Sequence, residues 1–211
     1  MSIYDEFIDR MDELLGKKKR KEIFSKSEIP DKRQNKHTTT LKFKEDLFKF
    51  FKDDYLDKII LEVGTAFGHT TRMLSFIFKH VDTLENYYPN LCDAMKLNDD
   101  RTNIVYVLFD AYAGEWAARE PYNVVFVDCA HDYDSVKSDI ENALKVGSED
   151  LLIIFDDYGI PQKEKGVKDA VDEYIEKGTL ELVKHIGEEK GSECREGTIL
   201  RDWEGIICKR T

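Results

Sequence analysis

No run of about 20 apolar residues occurs anywhere in the chain, so a membrane-spanning helix is not expected. Cysteine is sparse and scattered. Cys92, Cys129, Cys194 and Cys208 show no Cys-x-x-Cys spacing, and they read as free thiols in a reducing compartment rather than zinc ligands or a disulfide framework. Positive charge is in deficit: 32 Lys and Arg against 43 Asp and Glu leave a net charge of −11. A general nucleic-acid binder relies on phosphate neutralisation, so that balance makes nucleic acid an unexpected partner. The local exception is Lys17-Lys18-Lys19-Arg20-Lys21. It reads either as a solvated helix end, where cations are favoured, or as a recruiting patch for RNA or protein. The first residues, Met-Ser-Ile-Tyr-Asp-Glu, offer neither a basic start nor an apolar run, so no secretory signal is expected and a cytoplasmic location follows. Repeats and low-complexity tracts are also missing.

The 211 residues suffice for one domain with a sizeable core. Ile3, Phe7, Met11 and Leu14/Leu15 recur at helical spacing, which predicts an amphipathic helix over 3–15. Residues 22–40 are polar and contain Pro30, as a loop would. A second helix is expected over 44–53. From residue 58 the pattern changes to apolar strands alternating with helices, the signature of a parallel sheet. Strands are expected at 59–63, 81–85, 104–109, 123–128 and 151–156. Helical stretches fall between them near 69–79, 88–97, 111–119 and 133–146. Another helix is expected over 166–177. Two late strands, 180–186 and 204–209, have no helix between them, so they form an antiparallel pair at the sheet edge. The chain thus divides into an N-terminal helical extension, 1–55, which would close over the pocket, and a core, 56–211.

The most informative stretch is Ile59-Ile-Leu-Glu62-Val-Gly64-Thr65-Ala66-Phe-Gly68. It reads as a buried strand feeding a tight turn and a helix, the nucleotide-cradling device of α/β folds. Gly64 permits a backbone conformation that a Cβ forbids, and Gly68 permits close approach to a ligand. Two other glycine loops do not fit. Ala66 stands where a dinucleotide loop has its second glycine. The residues after Gly68 are His69, Thr70 and Thr71, with no lysine to reach a triphosphate. The turn suits a nucleoside ligand without a phosphate chain.

Each predicted parallel strand ends in, or is followed at once by, an acid: Glu62, Glu85, Asp110, Asp128 and Asp156-Asp157. Acids at the ends of buried strands are costly unless they bind something, so the five line a crevice. Glu85 follows Gly64 by about 20 residues, where an acid accepts hydrogen bonds from ribose hydroxyls or, alternatively, favours a helix dipole. Asp110 is placed to meet an exocyclic amine of a base or to cap a helix.

This set resembles the class I S-adenosylmethionine-dependent methyltransferases over residues 58–211. By pattern it is similar to the small-molecule and sugar O-methyltransferases of the catechol, caffeoyl-coenzyme A and macrocin types. The resemblance implies a Rossmann-like α/β fold, with a seven-stranded, mostly parallel sheet, one antiparallel strand and helices on both faces. It implies that Gly64, Thr65, Ala66 and Gly68, with Glu62, wrap the methionine end of S-adenosylmethionine. Glu85 would then hold the ribose, Asp110 with Ala111 the adenine, and Asp128 would border the cofactor.

Strands 123–128 and 151–156 are separated by one helix and should lie side by side, ~4.8 Å apart, bringing Asp128, Asp156 and Asp157 together. A divalent ion such as Mg²⁺ would relieve their repulsion. Otherwise Asp156-Asp157 caps a loop and Asp128 touches only the cofactor. His131 stands three residues after Asp128. The resembled catechol-type enzymes have a lysine base at that spacing, and a histidine titrating near neutral pH would serve as the base or simply cap the next helix. His69 opens the helix after the glycine turn, and His37 lies on the polar loop. The function expected is metal-assisted methylation of a hydroxyl on a small molecule or sugar. The rivals are a metal-independent RNA or protein methyltransferase and a non-catalytic cofactor-binding module. A homo-oligomer is compatible with the sequence, which does not distinguish an interface from an exposed face.

Overall fold

The computed structural model describes residues 39–51, 56–161, 166–195 and 197–211. The expected helix over 3–15, the basic run at 17–21 and His37 lie outside them.

A seven-stranded sheet runs through the described chain in the order β3-β2-β1-β4-β5-β9-β6. Its members are β1 (Ile59–Val63), β2 (His80–Glu85), β3 (Ile104–Leu108), β4 (Tyr122–Val127), β5 (Gly147–Phe155), β6 (Leu180–Ile186) and β9 (Gly205–Arg210). β1 to β5 are mutually parallel. β9 is antiparallel to both β5 and β6, so one reversed strand sits between two that share a direction. This is the sheet expected from the sequence. The chain reverses at β1: β2 and β3 build to one side, β4 and β5 to the other. A crevice therefore opens above β1 and β4, where open α/β sheets bind ligands.

Five helices are present among the described residues: α1 (Leu41–Phe51), α2 (His69–Ile77), α3 (Tyr88–Leu97), α4 (Tyr133–Val146) and α5 (Val167–Glu176). Strand alternation divides the core into two layers. Ile59, Leu61, Val63, Val125, Val127, Ile153 and Phe155 pack with the apolar faces of α4 and α5. Ile60, Val124, Phe126, Leu152 and Ile154 pack with α1 and α2 on the other side.

Three elements differ from expectation. Residues 111–119 form turns rather than a helix. Gly114 and Pro121 disfavour a continuous helix, and the Trp116 indole donates to the Ala111 carbonyl at 3.0 Å, folding the segment on itself. A cavity of about 290 Å³ remains beneath it, over Leu61, Leu84, Val105 and Val107. Second, the loop between β6 and β9 carries a small ribbon, β7 (Glu193–Arg195) paired with β8 (Thr198–Ile199). Third, α1 is a core element. Phe43, Leu47, Phe48 and Phe51 are buried in the second layer, and Phe43 meets Phe126 edge-on at 6.0 Å. Its entry is tied down where Glu204 accepts from the Thr40 amide and hydroxyl. The part of the expected extension that is described thus packs into the core.

Candidate active site

The glycine turn follows from β1's alternation. Glu62 shares a face with Ile60, so its carboxyl lies beneath α2 and not in the open crevice. It is wholly buried and accepts from the hydroxyls of Thr71 on α2 and Thr83 on β2. Its second oxygen has no hydrogen-bond partner. Burial dominates and raises its pKa to about 8, against the lowering effect of the two hydroxyls. Thr65 extends the network, its hydroxyl 2.6 Å from that of Thr83. The acid is therefore a buttress beneath the turn, where sequence reasoning expected it to line the crevice.

Gly64 has φ +103, and a Cβ there would come within 2.0 Å of the Asp128 carbonyl oxygen. Its lack of a side chain lets the turn press against the tip of β4. Gly68 has φ +77, and a Cβ would collide with Ala94 on α3. The close approach expected of it is thus to a neighbouring helix. Ala66, where the dinucleotide loop has glycine, holds φ +44. Its amide donates to Glu85 at 2.8 Å, and the Tyr87 amide donates to the other Glu85 oxygen at 2.9 Å. A carboxylate offers about four acceptor positions, so two stay available to a ligand. Asp110 is exposed one strand over, accepting from the Tyr112 amide at 3.0 Å, and Ala111 beside it is buried. The turn, Glu85 and Asp110 thus occupy successive strand tips.

His69 begins α2. Burial, then the charge of Lys44, lowers its pKa to about 4, so it is neutral at physiological pH and supplies no cation for a carboxylate.

The second group sits at the tips of β4 and β5, paired in parallel with Val127 opposite Phe155. Asp128, His131 and Asp157 offer ligand atoms within 4.8 Å of one another. His131 Nε2 lies 3.6 Å from Asp128 Oδ1, and Nδ1 lies 3.3 Å from Asp157 Oδ2. The imidazole is interposed between two acids. Asp156, expected as a third member, stands outside this group and is 4% exposed. The reason is local: Asp157 takes a left-handed backbone, φ +56, which separates the two adjacent carboxyls. Asp tolerates that conformation better than most residues, and such strain gathers at functional sites.

Two groups at the site were not anticipated. Asp139 of α4 is wholly buried, and Tyr112 donates to it at 3.2 Å. Thr71 and Thr83 hold Glu62. The helical period put Asp139 beside Val136 and Ile140, on the inward face, which was the available signal. Nothing in the threonines' spacing pointed to the acid.

No curated protein matches the chain in sequence. Residues 61–158 match the family model described as a methyltransferase domain. Solved structures similar in fold include an O-methyltransferase from Bacillus cereus in complex with S-adenosylhomocysteine, at 16% identity over 100% of both chains, TM-score 0.59. The N-methyltransferase NodS from Bradyrhizobium japonicum WM9, also with S-adenosylhomocysteine, is similar at 14% identity over 90% of this chain and 97% of that one, TM-score 0.64. An rRNA methylase from Streptococcus thermophilus shares 16% identity over 74% and 88%, TM-score 0.53. At these identities the structures speak for the fold, and the family match covers the glycine turn, Glu85, Asp110 and the strand tips at Asp128 and Asp157. By sheet order and family match, residues 61–158 carry a methyltransferase domain, and the described chain has the Rossmann-like methyltransferase fold.

Proposed function

We propose that the protein transfers the methyl group of S-adenosylmethionine to a hydroxyl of a small molecule or sugar. The observation that carries this reading is the Asp128–His131–Asp157 group, set directly beside the glycine turn through the contact of Gly64 with the Asp128 carbonyl. In this reading Gly64, Thr65, Ala66 and Gly68 cradle the methionine end, with Glu62 supporting them. Glu85 binds the ribose, and Asp110 with Ala111 the adenine. Asp128 borders both cofactor and acceptor.

A hydroxyl is a poor nucleophile until its proton is removed, and an imidazole flanked by carboxylates is suited to accept it. His131 is the base. Asp157, 3.3 Å from Nδ1, orients the ring so that Nε2 takes the proton, and both carboxylates stabilise the imidazolium that forms. The sheet tips hold sulfonium and oxygen in line, so that positioning supplies much of the rate. Two carboxylates and a nitrogen donor are also a donor set that divalent ions accept. Asp128 and Asp157 would hold a cation such as Mg²⁺, with Asp156 adjacent. When bound, that ion would acidify the acceptor hydroxyl.

The interposition of His131 favours a second reading, in which the imidazole is itself the counter-charge to both acids and no metal is needed. Turnover after exhaustive chelation separates the two. Activity lost to chelator and restored by Mg²⁺ or Mn²⁺ supports the metal; undiminished activity removes it. Methylation of RNA is disfavoured by the net charge of −11.

A further inference from the structure

Tyr112 lies two residues past Asp110, on the turn assigned to the base of the cofactor. Its amide donates to the Asp110 carboxylate at 3.0 Å. Its hydroxyl reaches across to the tip of β4, where it accepts from the Ala130 amide at 3.1 Å. The same hydroxyl donates to Asp139 on α4 at 3.2 Å. Ala130 is the residue immediately before His131 and two after Asp128. One side chain therefore ties the turn after β3 to the loop carrying the acid and the imidazole, and anchors both to a helix of the core.

Asp139 is an unusual anchor. It is wholly buried on a helix face that carries Val136, Ile140, Ala143 and Val146, with Asn142 the only other polar residue buried there. Its other carboxyl oxygen has no hydrogen-bond partner. A buried carboxyl with one partner is costly to keep for stability alone, and a leucine would fill the layer better. Burial raises the pKa of the Tyr112 hydroxyl above its ordinary value, with the Asp139 charge adding to the rise, so the phenol keeps the proton it donates.

We infer that Tyr112 and Asp139 are positioning residues that couple occupancy of the base-binding turn at Asp110 to the placement of Asp128 and His131. The inference rests on the proposed cofactor reading. A base bound at Asp110 engages the same carboxylate that holds the Tyr112 amide. Any adjustment there passes through the ring to the Ala130 amide and so to the loop at the tip of β4. The physical element is one residue whose backbone amide holds Asp110 and whose rigid ring ends in a hydroxyl bonded to Ala130 and Asp139, the kind of contiguous contact through which coupling travels.

The test uses the full chain and S-adenosylhomocysteine, and needs no acceptor. Calorimetry gives the affinity, and amide resonances of Ala130 and His131 report the response at the tip of β4. In the wild type, S-adenosylhomocysteine shifts both resonances. In Tyr112→Phe the affinity falls by no more than roughly fivefold, the worth of one neutral hydrogen bond, and the two shifts collapse. Asp139→Asn keeps an acceptor for the phenol and retains the response, whereas Asp139→Leu abolishes it while leaving the fold intact by thermal melting. Shifts of wild-type size in Tyr112→Phe overturn the coupling alone. Loss of S-adenosylhomocysteine binding by Tyr112→Phe places the residue in the cofactor pocket itself and overturns the positioning role. Absence of binding by the wild type overturns the cofactor reading, and the coupling with it.

Discussion

The two halves of the crevice are built on opposite principles. On the side proposed to hold the cofactor, beneath and around the glycine turn, polar groups are already engaged with one another. Glu85 holds two backbone amides, Glu62 holds two threonine hydroxyls, and Thr65 is bound to Thr83. On the side proposed to carry the reaction two carboxylates face one imidazole, and Asp157 is held in a left-handed backbone. The first arrangement is stable as it stands and only has to receive a ligand. The second concentrates charge of one sign around a single titratable ring, and its balance changes with whatever enters. The difference separates a rigid holder, whose mutation should alter binding, from a reactive group, whose mutation should alter turnover.

The sharpest way to break that division is to disable the reaction side. His131→Ala is expected to lower turnover by about 10²–10⁴-fold, the usual worth of a general base. S-adenosylhomocysteine affinity should stay within a factor of roughly three, as measured by calorimetry beside a steady-state assay. An equal loss in both would erase the distinction.

A second prediction concerns stability on the cofactor side. Glu62 has a folded pKa raised from 4.5 to about 8, so the folded chain holds its proton more tightly than the unfolded chain does. Between those values the unfolded state binds fewer protons, and Glu62's contribution to stability falls as pH rises. The fall approaches roughly 5 kcal/mol at most above pH 8. Denaturant unfolding of wild type and Glu62→Gln across pH 5–9 should show this decline in the wild type and not in the variant. Parallel profiles would remove the buried acid from the account.

Glu85→Ala should weaken cofactor binding by about 1.5–3 kcal/mol, since charge-assisted hydrogen bonds are lost. Turnover at saturating cofactor should change far less. The smallest effect is expected at Ala66. Its φ of +44 lies in the left-handed region, where a side chain costs about 1 kcal/mol and glycine does not. Glycine's greater unfolded-state freedom offsets much of that, so Ala66→Gly should leave thermal stability within roughly 1 kcal/mol of wild type. A severe loss would show that the turn depends on the methyl group.

The same division governs how much could be read from the sequence. The strands at 59–63 and 180–186 and the helices at 88–97 and 133–146 match their expected limits. The stretch 111–119 misled, since Ala111, Trp116 and the alanines suggest a helix while Gly114 and Pro121 work against it. Glu85 and Asp110 were legible because a strand tip and a fixed offset place them. Glu62 was legible as an acid but not in its surroundings: its role depends on threonines contributed by a neighbouring strand and helix. The reaction side was half legible. The adjacency of β4 and β5 follows from one crossover helix, but choosing Asp157 over Asp156 depends on a backbone angle that no spacing encodes. The tie from Tyr112 to Asp139 spans 27 residues and two elements, and periodicity is silent about such pairs.

The central claim is that Glu85 and the glycine turn bind the cofactor while Asp128, His131 and Asp157 act on what it delivers. Titration calorimetry of S-adenosylmethionine against the full chain, Glu85→Ala and His131→Ala tests it most directly. The account predicts one site on the wild type, a similar site on His131→Ala and marked weakening in Glu85→Ala. Absence of binding by the wild type, or binding that Glu85→Ala leaves untouched, would contradict it.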